Sequence, residues 1–209
     1  KLSQLAMRLS AYNIFVSQKM LSISCYKKGN ACVLSCGVDL EEITSVSKVK
    51  ARKSLGLNDN KKLVLFSGRF DNHIKNYPLA RAAMDLVPDA DLIELKGYTR
   101  EQVCLLMNAC DVQLTTSFRE SGPLVVKEAM ACGTPVVSVD VGDVKEIIGE
   151  TEGCYIAERT PNGIADKIRK ALAYQGKTSG RQRIIDMGLD NRQVAKNLIH
   201  IYQQLIISK

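Results

Sequence analysis

The chain has 209 residues, 45% of them hydrophobic, with 29 basic and 22 acidic side chains and a formal charge of +7. That length suits one full domain with appendages, and no apolar run approaches the ~18 residues of a membrane-spanning helix. Five of the cations (Lys1, Arg8, Lys19, Lys27, Lys28) fall in residues 1–38, which hold no acid; a nucleic-acid-binding body would spread its charge over the main domain, so no nucleic-acid partner is expected.

Residues 1–60 open with a helix carrying Leu2, Leu5, Ala6 and Leu9 on one face, lead into the strand-like "YNIFVS", a short helix and "ACVLSCGVD", and close on a basic helix, "SKVKARKSLGL". The opening lacks a signal-peptide cleavage pattern, and from a first residue of Lys rather than Met a piece of something longer is expected. The basic start suits a solvated face or a surface for a partner domain, with peripheral contact to an anionic membrane as the other reading.

From residue 61 the pattern alternates. Apolar, β-prone runs at 62–67, 91–95, 111–115, 135–139 and 153–156 are separated by helical stretches at 77–86, 99–109, 123–131, 143–148 and 160–175. Such alternation predicts an α/β fold, a Rossmann-like parallel sheet with helices on both faces. Thr99 with Gln102 spells a capping box, and Thr160 before Pro161 an N-cap with proline at the first helical position. The 177–181 stretch "KTSGR" reads as a flexible connection. Val194, Leu198, Ile201 and Leu205 stripe the last helix.

Seven cysteines (25, 32, 36, 104, 110, 132, 154) lie scattered through apolar segments. They read as buried, reduced thiols in a cytoplasmic setting. Cys32 and Cys36 have CxxxC spacing, but no second pair or nearby histidine completes a zinc site, so no metal is assigned.

Ligands of open parallel sheets bind beyond the carboxyl ends of strands. The first such junction, "SGRFDNHIKNYP", places Arg69 and Lys75 on one loop after the turn-permitting Gly68. Two cations near helix starts suit a phosphate or pyrophosphate, and equally two solvated loop charges. The second junction is "TSFRESGPLVVKEAMACG". Pro123 stands at a helix start, where the amides of Leu124, Val125 and Val126 are open, and Gly122 lets a ligand come close. Glu120 lies in the loop and Glu128 near the end of the second turn. Carboxylates there would accept from sugar hydroxyls, while an inward Glu128 without a ligand would be an uncompensated charge; the alternative is an exposed Glu128 paired with Lys127 or a neighbour.

The segment "RESGPLVVKEAMACGTPVV" resembles the E-x7-E stretch of the retaining, glycogen-synthase-like glycosyltransferases, the family 4 or group 1 enzymes of two-lobed GT-B architecture. "CGVDLEEI" resembles their hinge, "LFSGRFDNHIKN" their phosphate loop, "ACDVQLTTS" the strand before the motif and "VSVDVGDVKEII" the strand and turn after it; the match runs over roughly residues 30–175. The resemblance implies the C-terminal, donor-binding lobe of a GT-B fold. Arg69 and Lys75 then match the pair that binds and neutralises the donor pyrophosphate, Glu120 the glutamate on the donor sugar, and Glu128 the one on the ribose diol. Gly68, Ser121, Gly122, Pro123, Leu124 and Val125 would line the sugar and phosphates, Arg69, Lys75 and Glu120 being the catalytic group. Tyr98 falls in the loop that meets the nucleobase.

Two departures stand out: Ser121-Gly122-Pro123 where the family has Gly-Phe-Gly/Pro, and "LSCGVD" where it has "IPNGVD". The implied activity is transfer of a sugar from a nucleoside diphosphate sugar, UDP, GDP or ADP being the candidate nucleotides, with retention. The setting implied is polysaccharide biosynthesis in the cytoplasm, at most peripheral to the inner membrane face. The nucleotide sugar is substrate rather than cofactor, no cofactor is expected, and the chain is read as having no Asp-x-Asp metal motif, so no divalent cation is expected to be essential. Residues 1–38 would be the tail of an N-terminal lobe outside these 209 residues, together with the hinge. Residues 39–190 would be the nucleotide-sugar lobe, and 191–209 a helix crossing back. His73 and His200 are expected to be structural or exposed. A non-catalytic nucleotide-sugar-binding module is the alternative. A dinucleotide oxidoreductase is disfavoured because no GxGxxG follows a predicted strand.

Overall fold

A computed structural model describes every residue except Lys1, Cys25, Lys27, Lys28, Asp59, Ser208 and Lys209. Among the described residues the chain order is α1 (Leu2–Leu9), β1 (Asn13–Phe15), α2 (Gln18–Ile23), β2 (Ala31–Val33), α3 (Lys48–Leu55) and β3 (Lys62–Phe66). Then follow α4 (Tyr77–Met84), β4 (Ala90–Ile93), α5 (Arg100–Ala109), β5 (Val112–Thr115), α6 (Leu124–Ala131), β6 (Val136–Val139), α7 (Val144–Ile148), β7 (Tyr155–Ala157), α8 (Pro161–Ala173), α9 (Gly180–Asp186) and α10 (Asn191–Ile207).

β3 to β7 form one parallel sheet in the order β4-β3-β5-β6-β7. Chain connections leave β3 toward β4 on one side and β5 toward β6 on the other, so the winding reverses between β3 and β5. In a doubly wound sheet that reversal opens a crevice beyond the strands' carboxyl ends, where ligands bind. The register pairs Val64 with Leu92 on one side and with Val112 on the other.

β3 shows why the sheet needs two layers of helices. Leu63 and Leu65 point into one core with Leu106 and Met107 of α5, while Val64 and Phe66 point into the other with Ala80 and Ala83 of α4 and Ile164 and Ile168 of α8. All ten of those partners and strand residues are at most 5% exposed, so each strand residue is desolvated on its own face. The Rossmann-like α/β architecture expected from the alternating pattern is therefore observed. Thr99 closes its capping box with Gln102, and the Thr160 hydroxyl accepts from the Gly163 amide at 3.1 Å, with Pro161 at the first helical position.

The first residues form a separate two-stranded parallel sheet, β1 with β2, pairing Ile14 with Cys32. Val38 then bridges Asp190, its amide donating to the Leu189 carbonyl at 2.8 Å. On α10, Val194, Leu198, Ile201 and Leu205 are the half-buried stripe, whereas Leu2, Leu5 and Leu9 of α1 are all exposed. Among the described residues no helix is long and apolar enough to cross a membrane.

Two expectations are corrected. The 177–181 stretch is not a loose connection: the Lys177 ammonium donates to the Cys132 carbonyl at 2.7 Å, the Thr178 amide to the Gly133 carbonyl at 2.9 Å, and Gly180 starts α9. Nor are all the cysteines buried. Cys104, Cys110, Cys132 and Cys154 are, but Cys32, on a strand of the small two-stranded sheet, is half-buried and Cys36, in the segment after it, is exposed; Cys25 lies outside the described residues.

Candidate active site

The loop after β3 is built to carry a lysine back across its own start. Asn72 caps a turn of 3-10 helix over His73–Lys75, its side chain accepting from the Ile74 amide at 3.0 Å. Asn76 then takes a left-handed conformation (φ 55°), tolerable for asparagine, and α4 begins. The Lys75 stem lies over Gly68, where an added Cβ would come within 3.0 Å of Lys75 Cγ. A side chain at Gly68 would crowd that stem, whereas its φ lies outside the left-handed region, so the turn itself does not demand glycine.

The loop after β5 meets it. The Phe118 amide donates to the Ile74 carbonyl at 2.9 Å, and Thr116 donates its hydroxyl to the Lys75 carbonyl at 2.9 Å. Lys75 Nζ sits 2.8 Å from Glu120 Oε1, and the Ser117 hydroxyl donates to the same oxygen at 2.8 Å. Both charged side chains keep a fifth or less of their surface exposed, so this pair is stronger than a typical surface pair. Arg159 stiffens the loop from beneath, donating to the Ser117 carbonyl at 2.7 Å; sequence spacing offers no sign of that role.

Arg69 does not join the Lys75–Glu120 pair. It is exposed and forked onto Asp71, Nε to Oδ1 at 2.9 Å. This exposed pair holds the Asp71 carboxyl below its ordinary value, chiefly through the hydrogen bond from Arg69.

Ser121, Gly122 and Pro123 stand at the start of α6. The Val126 amide donates back to the Pro123 carbonyl at 3.2 Å, so only Leu124 and Val125 keep amides without a backbone acceptor among the described residues, two rather than the three expected. The loop's floor is the β6–α7 turn. A Cβ on Gly122 would meet Asp143 Oδ2 at 3.1 Å, and one on Gly142 the Ser121 carbonyl oxygen at 2.9 Å.

Glu128 is buried, yet its charge is not uncompensated: Arg100 Nη1 lies 2.6 Å from Glu128 Oε1. Nor does it pair with Lys127, which is fully buried on the other side of α6 and bonded to Asp143 at 3.1 Å, Ser35 at 2.7 Å and the Cys36 carbonyl at 3.2 Å. Neither Arg100 nor Lys127 was marked by the sequence pattern, because their partners lie 28 and 16 residues away in the chain.

A cleft of about 180 Å³ opens beside Glu120, between α2, the loop after β5 and the β6–α7 turn, lined among others by Lys19, Phe118, Arg119 and Asp140. Tyr98 is exposed in the loop before α5. His73 is exposed against the Phe118 ring, 5.4 Å between centroids, and His200 is exposed on α10 beside Gln204. The chain does hold one Asp-x-Asp, Asp89 to Asp91, but it lies at the entry of β4, the sheet end opposite the crevice, and Asp91 pairs there with Lys61 at 2.8 Å. Among the described residues no cluster of three or more His, Cys, Asp or Glu could hold a metal ion.

Comparison with known proteins agrees with this architecture. The family model "Glycosyl transferases group 1" matches residues 91–188. D-inositol 3-phosphate glycosyltransferase of Mycolicibacterium gilvum is 27% identical over 199 residues, 80% of this chain and 45% of that protein. The protein of the same name from Mycobacteroides abscessus is 29% identical over 170 residues, covering 67% of this chain and 38% of that one. The chain thus spans about half the length of the curated relatives it matches. Among solved structures, the sucrose-phosphate synthase of Thermosynechococcus elongatus superposes with a TM-score of 0.83 at 21% identity, covering 99% of this chain and 61% of that one. HepE of Anabaena, solved with UDP and glucose, superposes with a TM-score of 0.68 at 22% identity, covering 93% of this chain and 64% of that one. With a GT-B-like parallel sheet and the family match over residues 91–188, this chain is similar to a partial, C-terminal-type domain of the group 1 glycosyltransferases.

Proposed function

We propose that the chain is the donor-binding part of a retaining glycosyltransferase that moves a sugar from a nucleoside diphosphate sugar to an acceptor. The observation that carries this is the Lys75–Glu120 contact of 2.8 Å across the two loops that flank the winding reversal. It sets a cation for the diphosphate beside a carboxylate for sugar hydroxyls where a doubly wound sheet binds ligands. The UDP bound to Anabaena HepE supports a nucleotide partner. In this reading Lys75, joined by Arg69 once it leaves Asp71, and the Leu124 and Val125 amides at the positive end of α6 stabilise charge that develops on the departing diphosphate. Glu120 accepts from the donor sugar and Glu128 from the ribose, and no cofactor is called for.

In the same reading residues 1–38 and 191–209 belong with an N-terminal lobe that supplies the acceptor site, residues 39–190 being the nucleotide-sugar lobe. The bridge between Val38 and Asp190, at the two boundaries, supports that division. The setting proposed is cytoplasmic, with the basic start of the chain available to an anionic membrane face.

The test is titration of UDP, GDP and ADP against melting temperature, with turnover of the matching sugar nucleotides measured in parallel. The chain alone is expected to bind one of the three without turnover. A ligand at a hundred times its Kd stabilises by about 2.7 kcal/mol. If none of the three moves the transition of the folded protein, the reading fails.

A further inference from the structure

The proposed ribose acceptor Glu128 belongs to a chain of contacts that begins at the hinge. Asp39, in the "CGVD" segment, accepts at Oδ1 from the amides of Glu41 (2.9 Å) and Glu42 (3.0 Å). Those bonds, Glu42's first, hold the Asp39 carboxyl below its ordinary value. The turn they close projects Glu42 toward α5, where Glu42 Oε2 accepts from Arg100 Nε at 3.0 Å. Arg100 is the first residue of α5, directly after the capping box of Thr99 and Gln102, so its backbone is fixed. Its other arm reaches Glu128 at 2.6 Å.

The setting differs from an ordinary surface pair. Arg100 is 43% and Glu42 41% exposed, but the Glu128 side chain is only 10% exposed. Eight residues on from Arg100 and four on from Glu128, Asn108 of α5 donates its side-chain amide to Cys132 Sγ at the end of α6, at 3.3 Å. The two helices are therefore packed, and the Arg100–Glu128 geometry follows from that packing rather than from two free side chains. A carboxylate offers about four acceptor sites. One engaged by Arg100 leaves others for hydroxyls, in a plane the guanidinium sets.

We propose that Arg100 is a positioning residue for ribose recognition: anchored by Glu42, it orients the Glu128 carboxylate to accept from the two ribose hydroxyls. The inference rests on the reading of Glu128 as the ribose acceptor. It gives the hinge turn a second role, because Asp39 and Glu42 then link that turn to the nucleotide site.

The test compares UDP, GDP and ADP, each beside its 2′-deoxy counterpart, by calorimetric titration of the whole chain. Wild type is expected to prefer the ribonucleotide by about tenfold or more, the equivalent of one charge-assisted hydrogen bond. Arg100→Met lowers ribonucleotide affinity about tenfold and collapses the preference, Arg100→Lys restores part of it, and Arg100→Met with Glu128→Gln binds no more weakly than Glu128→Gln alone. A readout of ribose against deoxyribose would not move if Arg100 only stabilised the fold. If Arg100→Met fails to fold, Glu42→Gln decides, with a partial loss of preference expected. A wild-type preference in Arg100→Met or Glu42→Gln, while Glu128→Gln loses it, overturns this inference alone. A wild-type preference in Glu128→Gln, or no binding of any nucleotide, overturns the ribose reading with it.

Discussion

Lys127 and Asp143 meet at 3.1 Å with their side chains 0% and 3% exposed, and the Ser35 hydroxyl joins both, accepting from Lys127 at 2.7 Å and donating to Asp143 at 2.8 Å. The pair ties α6, the β6–α7 turn and the segment after β2 into one buried knot beneath the Gly122 loop. Removing one member leaves the other as a lone buried charge, which costs about 3–5 kcal/mol. Lys127→Met is expected to lower unfolding stability by that amount in urea. Lys127→Met with Asp143→Leu is expected to recover most of it, since an apolar pair of similar volume often replaces a buried ion pair at little cost. A double variant as unstable as the single one would show that the contacts with Ser35 and Cys36 matter more than the charges.

Gly142 supports the same loop from the turn. Its φ is +56°, and a Cβ there would lie 2.9 Å from the Ser121 carbonyl oxygen and 3.2 Å from that of Glu120. Gly97 has a similar backbone (φ +79°) with nothing within 4 Å. Gly97→Ala should therefore cost about 1 kcal/mol, the left-handed strain alone. Gly142→Ala should cost more and also displace Glu120. Melting curves and nucleotide titration of the two variants check this, the expected pattern being loss of affinity in Gly142→Ala only.

In the proposed site Lys75 is neutralised by Glu120 at 2.8 Å. Glu120→Gln frees the ammonium, so affinity for a bare nucleoside diphosphate should hold or rise by about threefold, while affinity for the sugar nucleotide falls by about tenfold with the lost charged acceptor. Lys75→Met should weaken both by about tenfold or more. Opposite signs for the two ligands in Glu120→Gln are the discriminating result. Parallel losses would place Glu120 in support of the loop rather than on the sugar.

What could be read in the chain follows from how local each signal is. Apolar runs such as "KLVLFS" and capping signals such as Thr99 with Gln102 act within a few residues, so the five strands and their helices fall within a few residues of expectation. Gly180 misled because "KTSGR" looks like a polar linker. In the fold that glycine lets α9 touch α6, a Cβ lying 2.8 Å from the Met130 carbonyl oxygen, and Arg181 donates to the carbonyls of Leu40, Ile43 and Ala131. Lys127 misled differently: "VVKEAM" shows a lysine on a helix, and nothing nearby in the chain shows that it points inward. The two carboxylates of the E-x7-E stretch were legible as a pair, but their partners Lys75 and Arg100 become partners only through the crossover connections of the sheet.

Asp111 gives a pH dependence whose sign can be worked out. It stands before β5, its side chain 7% exposed, with Lys48 at 2.7 Å, Arg52 at 2.9 Å and the Leu63 amide donating to it at 2.8 Å. Burial works to raise its value, but the Lys48 hydrogen bond, the Leu63 amide and the charges of Lys48 and Arg52 outweigh it and hold the carboxyl below the ordinary range. A carboxyl depressed in the folded state binds its proton more readily when unfolded. Its stabilisation is therefore present above the unfolded value of about 3.9 and is lost as pH falls from there through the folded value. The urea midpoint should drop steeply below about pH 4. Asp111→Asn, which leaves Arg52 buried beside a neutral amide, should be less stable at pH 7 by about 3–5 kcal/mol. The difference between wild type and variant should narrow as pH is lowered, because protonation removes in wild type the charge that the substitution has already removed. A gap that stays constant from pH 7 to 3 would show that Asp111 holds β3 and α3 through its hydrogen bonds alone and not through its charge.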